Sequence, residues 1–206
     1  MTKVLFIQGT PQRQGSKSLE VAHVLLNEYK KLNPEAEVEV LDLYAQDMPE
    51  IDADVMTAMG KLRMGAGELT ATEKEKLDKV NALVDNFISK DRYIIQSPMF
   101  NLGIPPRLKG LLDMAITAGK AFNYTEKGPV GILTDKKAVH IHGAGGVYSN
   151  GAIPQCSDTY IKSILGFAGM QLEETIWVEG VDYDPSCKDR VMTEAKAKAI
   201  TLAAKL

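Results

Sequence analysis

The sequence predicts an α/β fold in which a five-stranded parallel sheet, strand order 2-1-3-4-5, carries helices on both faces. Three observations predict it. Short apolar strands alternate with amphipathic helices along the whole chain. The first strand, Val4-Leu5-Phe6-Ile7-Gln8, is a near-continuous apolar run, the pattern of a strand buried on both faces. The second, Glu37-Val38-Glu39-Val40-Leu41-Asp42-Leu43, alternates strictly, which suits an edge strand with one wet face. The 206 residues suit one domain, residues 1–206, with a full core and no internal repeat or low-complexity segment.

The remaining elements follow in order. A helix is expected from about Ser18 to Leu32, with Ala22, Leu25, Leu26 and Tyr29 at helical spacing. The stretch Tyr44 to Thr70 is less regular, with a short helix near Asp54–Leu62. A strong helix follows over about Thr72 to Ser89, capped by Thr70 or Thr72, with Leu77, Val80, Val84, Phe87 and Ile88 as its buried stripe. The third strand is Tyr93–Ser97, ended by Pro98, and Pro105-Pro106 opens a helix whose apolar face is Leu108, Leu111, Leu112 and Ala115. Turn residues over Phe122–Leu133 predict a hairpin excursion. Ala138–His142 is the fourth strand, a helix lies near Asp158–Phe167, Glu174–Val178 is the fifth strand, and a helix from about Pro185 to Ala204 closes the chain.

Composition narrows the function. Hydrophobic residues make up 45% and charged residues 25%, as in ordinary globular proteins, and the formal charge is -3. With no Lys/Arg run, nothing supplies the basic face that nucleic acid or an anionic membrane needs. The apolar run at Met1–Ile7 is too short for a signal peptide, and no segment approaches the roughly 18 apolar residues of a membrane span. Cys156 and Cys187, the two cysteines, match neither a disulfide framework nor a zinc pattern. The expectation is a cytoplasmic protein without metal, whose cysteines either pack or sit exposed without a role.

In this architecture a ligand belongs outside the carboxyl ends of the strands, near the switch between strands one and three. The loops there are unusual. Gly9-Thr10-Pro11-Gln12-Arg13-Gln14-Gly15-Ser16-Lys17-Ser18 leads straight into a helix whose amino terminus offers unpaired N–H groups, hydroxyls and one charge to a phosphate. It is not a nucleoside-triphosphate loop, because five residues rather than four separate Gly9 from Gly15 and Ser16 follows. Pro98-Met99-Phe100-Asn101-Leu102-Gly103-Ile104-Pro105-Pro106 offers apolar walls and one amide, which suit a flat heteroaromatic ring. Gly143-Ala144-Gly145-Gly146-Val147-Tyr148 lets backbone N–H groups approach a ligand, but Tyr148 stands where a dinucleotide fingerprint needs glycine. An anion at the first loop and a planar ring at the other two describe a mononucleotide with an aromatic ring. FMN fits that description.

These residues are the ones that carry a family resemblance. The chain resembles the FMN-dependent NADH:quinone oxidoreductases, also called FMN-dependent NADH-azoreductases, over nearly its whole length. The specific parts are Ser16-Lys17-Ser18, Pro98-Met99-Phe100-Asn101, the run Ala118–Pro129, Gly145-Gly146 and Leu165-Gly166-Phe167. The resemblance implies a flavodoxin-like three-layer sandwich, a homodimer with one FMN per subunit, and active sites at the dimer interface. It places the FMN phosphate on Ser16, Lys17 and Ser18. It places the isoalloxazine against Met99, Phe100, Asn101 and Leu102 and against Gly143, Ala144, Gly145 and Gly146. Tyr124 and Phe167 match aromatic positions that wall the substrate pocket. Members usually carry Arg before the Gly-Gly pair, where this chain has Ala144, and Phe100 stands for their Trp or Tyr.

The resemblance implies NADH as transient donor and quinone or azo compounds as acceptors, in ping-pong order, with the flavin and no protein acid or base carrying the chemistry. His140 and His142, read as facing opposite sides of their strand, are expected to be structural, and His23 a surface or packing residue. The rivals are a non-enzymatic electron carrier and an FMN-based redox sensor. A phosphoacceptor receiver would need acidic residues after strand one and an aspartate ending strand three, where Gln8-Gly9 and Ser97-Pro98 stand.

Overall fold

The computed structural model describes residues 1–206. The chain runs β1 (Lys3–Gln8), α1 (Lys17–Leu32), β2 (Glu37–Asp42), α2 (Ala53–Met64), α3 (Ala71–Ile88), β3 (Arg92–Pro98), α4 (Pro106–Ala115), β4 (Phe122–Thr125), β5 (Gly128–Gly131), β6 (Lys137–Ala144), α5 (Ser157–Phe167), β7 (Gln171–Glu179) and α6 (Lys188–Ala203). Five strands form one parallel sheet in the order β2-β1-β3-β6-β7. This is the expected 2-1-3-4-5 order, renumbered because the Phe122–Leu133 excursion forms a separate antiparallel hairpin, β4-β5.

The sheet is apolar on both sides because each strand sends alternate residues into different cores. Leu5 and Ile7 of β1 join Tyr93 and Ile95 of β3 under Phe87, Leu108, Leu111, Leu112, Ile161 and Leu165 from α3, α4 and α5. Val4 and Phe6 join Ile94, Val139, Ile141 and Ile176 under Leu25, Leu26, Ala195 and Ala199 from α1 and α6. Double burial explains why Val4–Ile7 read as an unbroken apolar run. The helix ends are where local chemistry puts them. Thr70 and Glu73 cap α3 reciprocally, and Pro106 takes the first position of α4, where the missing N–H costs nothing.

Two expectations change. The edge position of β2 holds, but neither of its faces is dry along its length. Only Leu41 is buried, and Val40 is 51% exposed. Glu39, on the Leu41 side, is held by Lys90 (2.7 Å) and Asn86 (2.6 Å) instead of facing open water. His140 and His142 lie on the same face of β6, not on opposite faces. Residues two apart on a strand share a side, and the two rings sit 5.0 Å apart.

Candidate functional site

The site begins where β1 ends. The Gly9 N–H donates to Gln96 O at 2.8 Å, and a Cβ at Gly9 would sit 2.7 Å from that same oxygen, so only glycine lets the chain leave the sheet this close to β3. The loop then turns into α1, whose N-cap is Ser16. The backbone N–H groups of Gly15, Ser16, Lys17 and Ser18 find no acceptor within the chain. Four amides aimed off a helix amino terminus make an anion-binding concavity.

The ends of β3 and β6 close this concavity. Ser18 is buried, and its Oγ accepts a hydrogen bond from Gln96 Nε2 at 2.9 Å, which leaves the hydroxyl hydrogen free to donate. A Cβ at Gly143 would sit 2.7 Å from Ser18 Oγ, so glycine there is what allows β6 to reach the α1 terminus. A cleft of about 270 Å³ results, lined by Ser16, Lys17, Ser18, Met99, Gly143, Ala144 and Gly145 among others. Asp182, from the loop after β7, also lines it and sits 2.9 Å from Lys17 Nζ.

The second loop is a tight two-residue turn. Phe100 and Gly103 exchange N–H···O bonds of 2.9 Å, and Asn101 and Leu102 between them have φ of 48° and 66°. Asn tolerates that region, whereas Leu does not enter it without cost. Leu102 is held there because its carbonyl accepts the N–H groups of Cys156 (2.7 Å) and Ser157 (3.0 Å), capping α5, which has no side-chain cap. Of this loop only Pro98 and Met99 line the cleft; Phe100 and Leu102, 40% and 42% exposed, lie outside its lining, as does the exposed Asn101. The Met99 N–H bonds Gly143 O at 2.7 Å, joining this loop to the glycine loop. Glu179 tethers the glycine loop from behind through the N–H groups of Tyr148 (2.7 Å) and Ser149 (3.1 Å).

Beneath these loops lies a buried polar chain. Ser97 Oγ meets His140 Nε2 at 2.9 Å and His142 Nδ1 at 3.3 Å, and His142 Nε2 meets Ser157 Oγ at 2.8 Å. Asp158 sits 3.8 Å from His140 Nδ1 and bonds Thr175 Oγ1 (2.6 Å) and Lys162 Nζ (2.6 Å). Burial holds both histidines below their ordinary value, His142 at about 3, so they are neutral at neutral pH. Burial raises the Asp158 carboxyl, but its contacts with His140, Lys162 and Thr175 outweigh this and hold it well below the carboxylate range. Ser97, His140 and Asp158 stand in the order of a nucleophilic triad, yet the Ser97 hydroxyl is fully buried and no substrate carbonyl could reach it.

Tyr124 and Phe167 are not at this end of the subunit. Tyr124 is on the hairpin and 76% exposed, Phe167 ends α5 and is 40% exposed, and both rings pack on Phe122 (5.3 and 4.6 Å). α5 starts beside Leu102 and runs about 1.5 Å per residue to the opposite end of the sheet, roughly 16 Å away. His23 is exposed, with its ring edge-on to Phe6 at 5.3 Å. Cys156 is exposed at the start of α5 and Cys187 half-buried before α6. No group of His, Cys, Asp and Glu is arranged to hold a metal ion, and no helix is long and apolar enough to cross a membrane. Sequence reasoning missed Gln96, Asp182 and Glu179. Gln96 alone carried a signal, a polar residue inside an apolar strand.

Residues 2–202 match a family described by its flavodoxin-like fold. The chain is 42% identical over 204 residues to the FMN-dependent NADH:quinone oxidoreductase 2 of Listeria monocytogenes, covering 97% of each. An azoreductase from Bacillus anthracis superposes with a TM-score of 0.91 at 31% identity, with 100% of both chains covered. An FMN-dependent NADH-azoreductase from Bacillus anthracis, solved in complex with FMN, superposes with a TM-score of 0.88 at 29% identity, with 98% of this chain and 100% of that one covered.

Proposed function

The chain belongs to the FMN-dependent NADH:quinone oxidoreductases of flavodoxin-like fold, and from that premise we propose how its own residues bind the cofactor and organise the reaction. The protein is an FMN-dependent oxidoreductase that uses NADH to reduce quinones to hydroquinones, with reductive cleavage of azo compounds as a related activity. Bound FMN supplies an electron sink that takes two electrons from NADH and yields them to the acceptor.

The observation that carries the assignment is the meeting, at one cleft, of the unpaired α1 amides with the ends of β3 and β6. The residues fit the cofactor. Amides 15–18, the hydroxyls of Ser16 and Ser18 and the Lys17 ammonium suit a phosphate dianion. Met99, Phe100 and Leu102 form an apolar wall for the ring, and Asn101 offers its amide to the ring edge. The backbone of Gly143, Ala144, Gly145 and Gly146 comes within reach of the other side. Ala144 presents no charge there, so donor and acceptor are held by apolar contact and backbone rather than by a cation.

We read residues 1–206 as one cytoplasmic domain, a three-layer sandwich whose two cores lie on either face of the sheet. We also read it as a homodimer with one FMN per subunit. Tyr124 and Phe167 lie a helix length from the cleft of their own subunit and can wall a pocket only in the partner's. NADH and acceptor occupy that pocket in turn, which gives ping-pong kinetics.

The purified protein should be yellow, bleach with NADH under anaerobic conditions and regain colour with a quinone. A colourless protein that takes up no added FMN overturns the assignment.

A further inference from the structure

The buried contacts beneath the loops fix where His142 carries its hydrogen, and that gives the residue a task. Gln155 Oε1 accepts the Asp158 N–H (2.9 Å), so it is an oxygen and carries no hydrogen. The Ser157 hydroxyl lies 2.8 Å from that oxygen and must donate to it. Ser157 Oγ can therefore only accept from His142 Nε2, which fixes the hydrogen of a neutral imidazole on Nε2. His142 Nδ1 is then an acceptor, and the group facing it is the Ser97 hydroxyl at 3.3 Å, which also lies 2.9 Å from His140 Nε2. His140 Nδ1, 3.8 Å from Asp158 Oδ1, is one of two buried side-chain atoms in the molecule without a hydrogen-bond partner.

We propose that His142 is a positioning residue for the flavin: by donating to Ser157 and accepting from Ser97, it locks the turn Phe100–Gly103 onto the ends of β3 and β6. The contacts close on themselves. Ser157 also gives its N–H to Leu102 O, and Met99, two residues beyond Ser97, gives its N–H to Gly143 O, the residue after His142. The only side chain within this closed circuit that spans from strand to helix is the imidazole. The positive-φ geometry of Asn101 and Leu102 persists because the circuit holds both ends of their turn. The proposal rests on the oxidoreductase reading for the identity of the ligand; the hydrogen arrangement does not.

The test uses the apoprotein and FMN. Nitrogen-15 NMR of the imidazole should show a neutral His142 with its hydrogen on Nε2; a hydrogen on Nδ1 overturns the proposal. Flavin-fluorescence titration should give His142→Phe an affinity roughly tenfold weaker than wild type, with a shifted visible spectrum, because Ser97 and Ser157 lose the imidazole that joins them. His142→Gln, whose amide can still donate to Ser157 and accept from Ser97, should restore both. Should His142→Phe fail to fold, Ser157→Ala cuts the same link while keeping the imidazole and should weaken binding similarly. Variants that lower the melting temperature but match wild type in affinity and spectrum make His142 merely structural and overturn the proposal. A wild-type apoprotein that ignores FMN overturns the oxidoreductase reading and this role with it.

Discussion

Lys17 is the one cation lining the cleft, and in the free protein its partner is Asp182 at 2.9 Å. Both side chains are partly solvated, so the pair contributes at most about 1 kcal/mol to stability. A phosphate dianion seated on amides 15–18 competes with Asp182 for Lys17 and is repelled by its carboxylate. Asp182→Asn keeps the shape and removes the charge. It should tighten FMN binding by roughly threefold to tenfold at low salt, a gain that shrinks in about 1 M salt as screening shortens the reach of both charges. Fluorescence titration at the two ionic strengths checks this, and unchanged or weaker binding refutes it. At this scale the sequence was legible where chemistry is contiguous. Ser16-Lys17-Ser18 announces an anion site because the residues follow a strand and open a helix. Asp182 lies 165 residues from Lys17 and belongs to no motif, so only folding brings it into view.

The junction of β6 with α5 shows what periodicity can and cannot tell. The alternation of β6 correctly marks a strand, and strict counting by two places His140 and His142 side by side. What counting cannot supply is their partners, Ser97 from β3 and Ser157 and Asp158 from α5. The pH dependence of stability belongs to this junction. Unfolded, each imidazole takes up a proton near 6.5; folded, burial lowers both, His142 to about 3. Between those values the unfolded chain binds more protons, so stability rises with pH. The contribution is complete above about pH 6.5 and is lost progressively on acidification. Asp158, held well below the carboxylate range, loses its contribution only at still lower pH, which leaves pH 7 to 5 to the histidines, to which His23, also lowered by partial burial, adds a share. Over that interval His142 can remove up to about 2 kcal/mol, at roughly 2–4 °C in melting temperature per kcal/mol, and His140 acts in the same direction. Thermal melts across this range should show the fall, and His142→Gln should flatten part of it. A profile identical in the variant refutes the attribution.

For the whole molecule, the stretch Phe122–Leu133 was readable as a turn-rich excursion, and it forms the hairpin that carries Tyr124. No pattern in it says which end of the sheet it occupies. That follows from α4 and α5, which both start at the strand carboxyl ends and deliver their last residues to the opposite end. A subunit therefore presents its cofactor cradle at one end and its exposed aromatic pair at the other. In the two-fold dimer proposed above, each cradle would meet the partner's pair, and the arrangement would repeat at the second site because such an interface is self-complementary. This makes a genetic test decisive. Take Lys17→Glu, which damages the cradle, and Phe167→Ala, which damages the aromatic wall, each nearly inactive as a homodimer. A heterodimer of the two contains one doubly damaged site and one intact site, so it should regain about half of wild-type turnover. If both features serve the site of their own subunit, every site in the heterodimer carries one lesion and no activity returns. Co-expression with two affinity tags and a single NADH-oxidation assay distinguishes the two outcomes. Restored turnover places the working site across the interface, and a persistent loss places it within one chain.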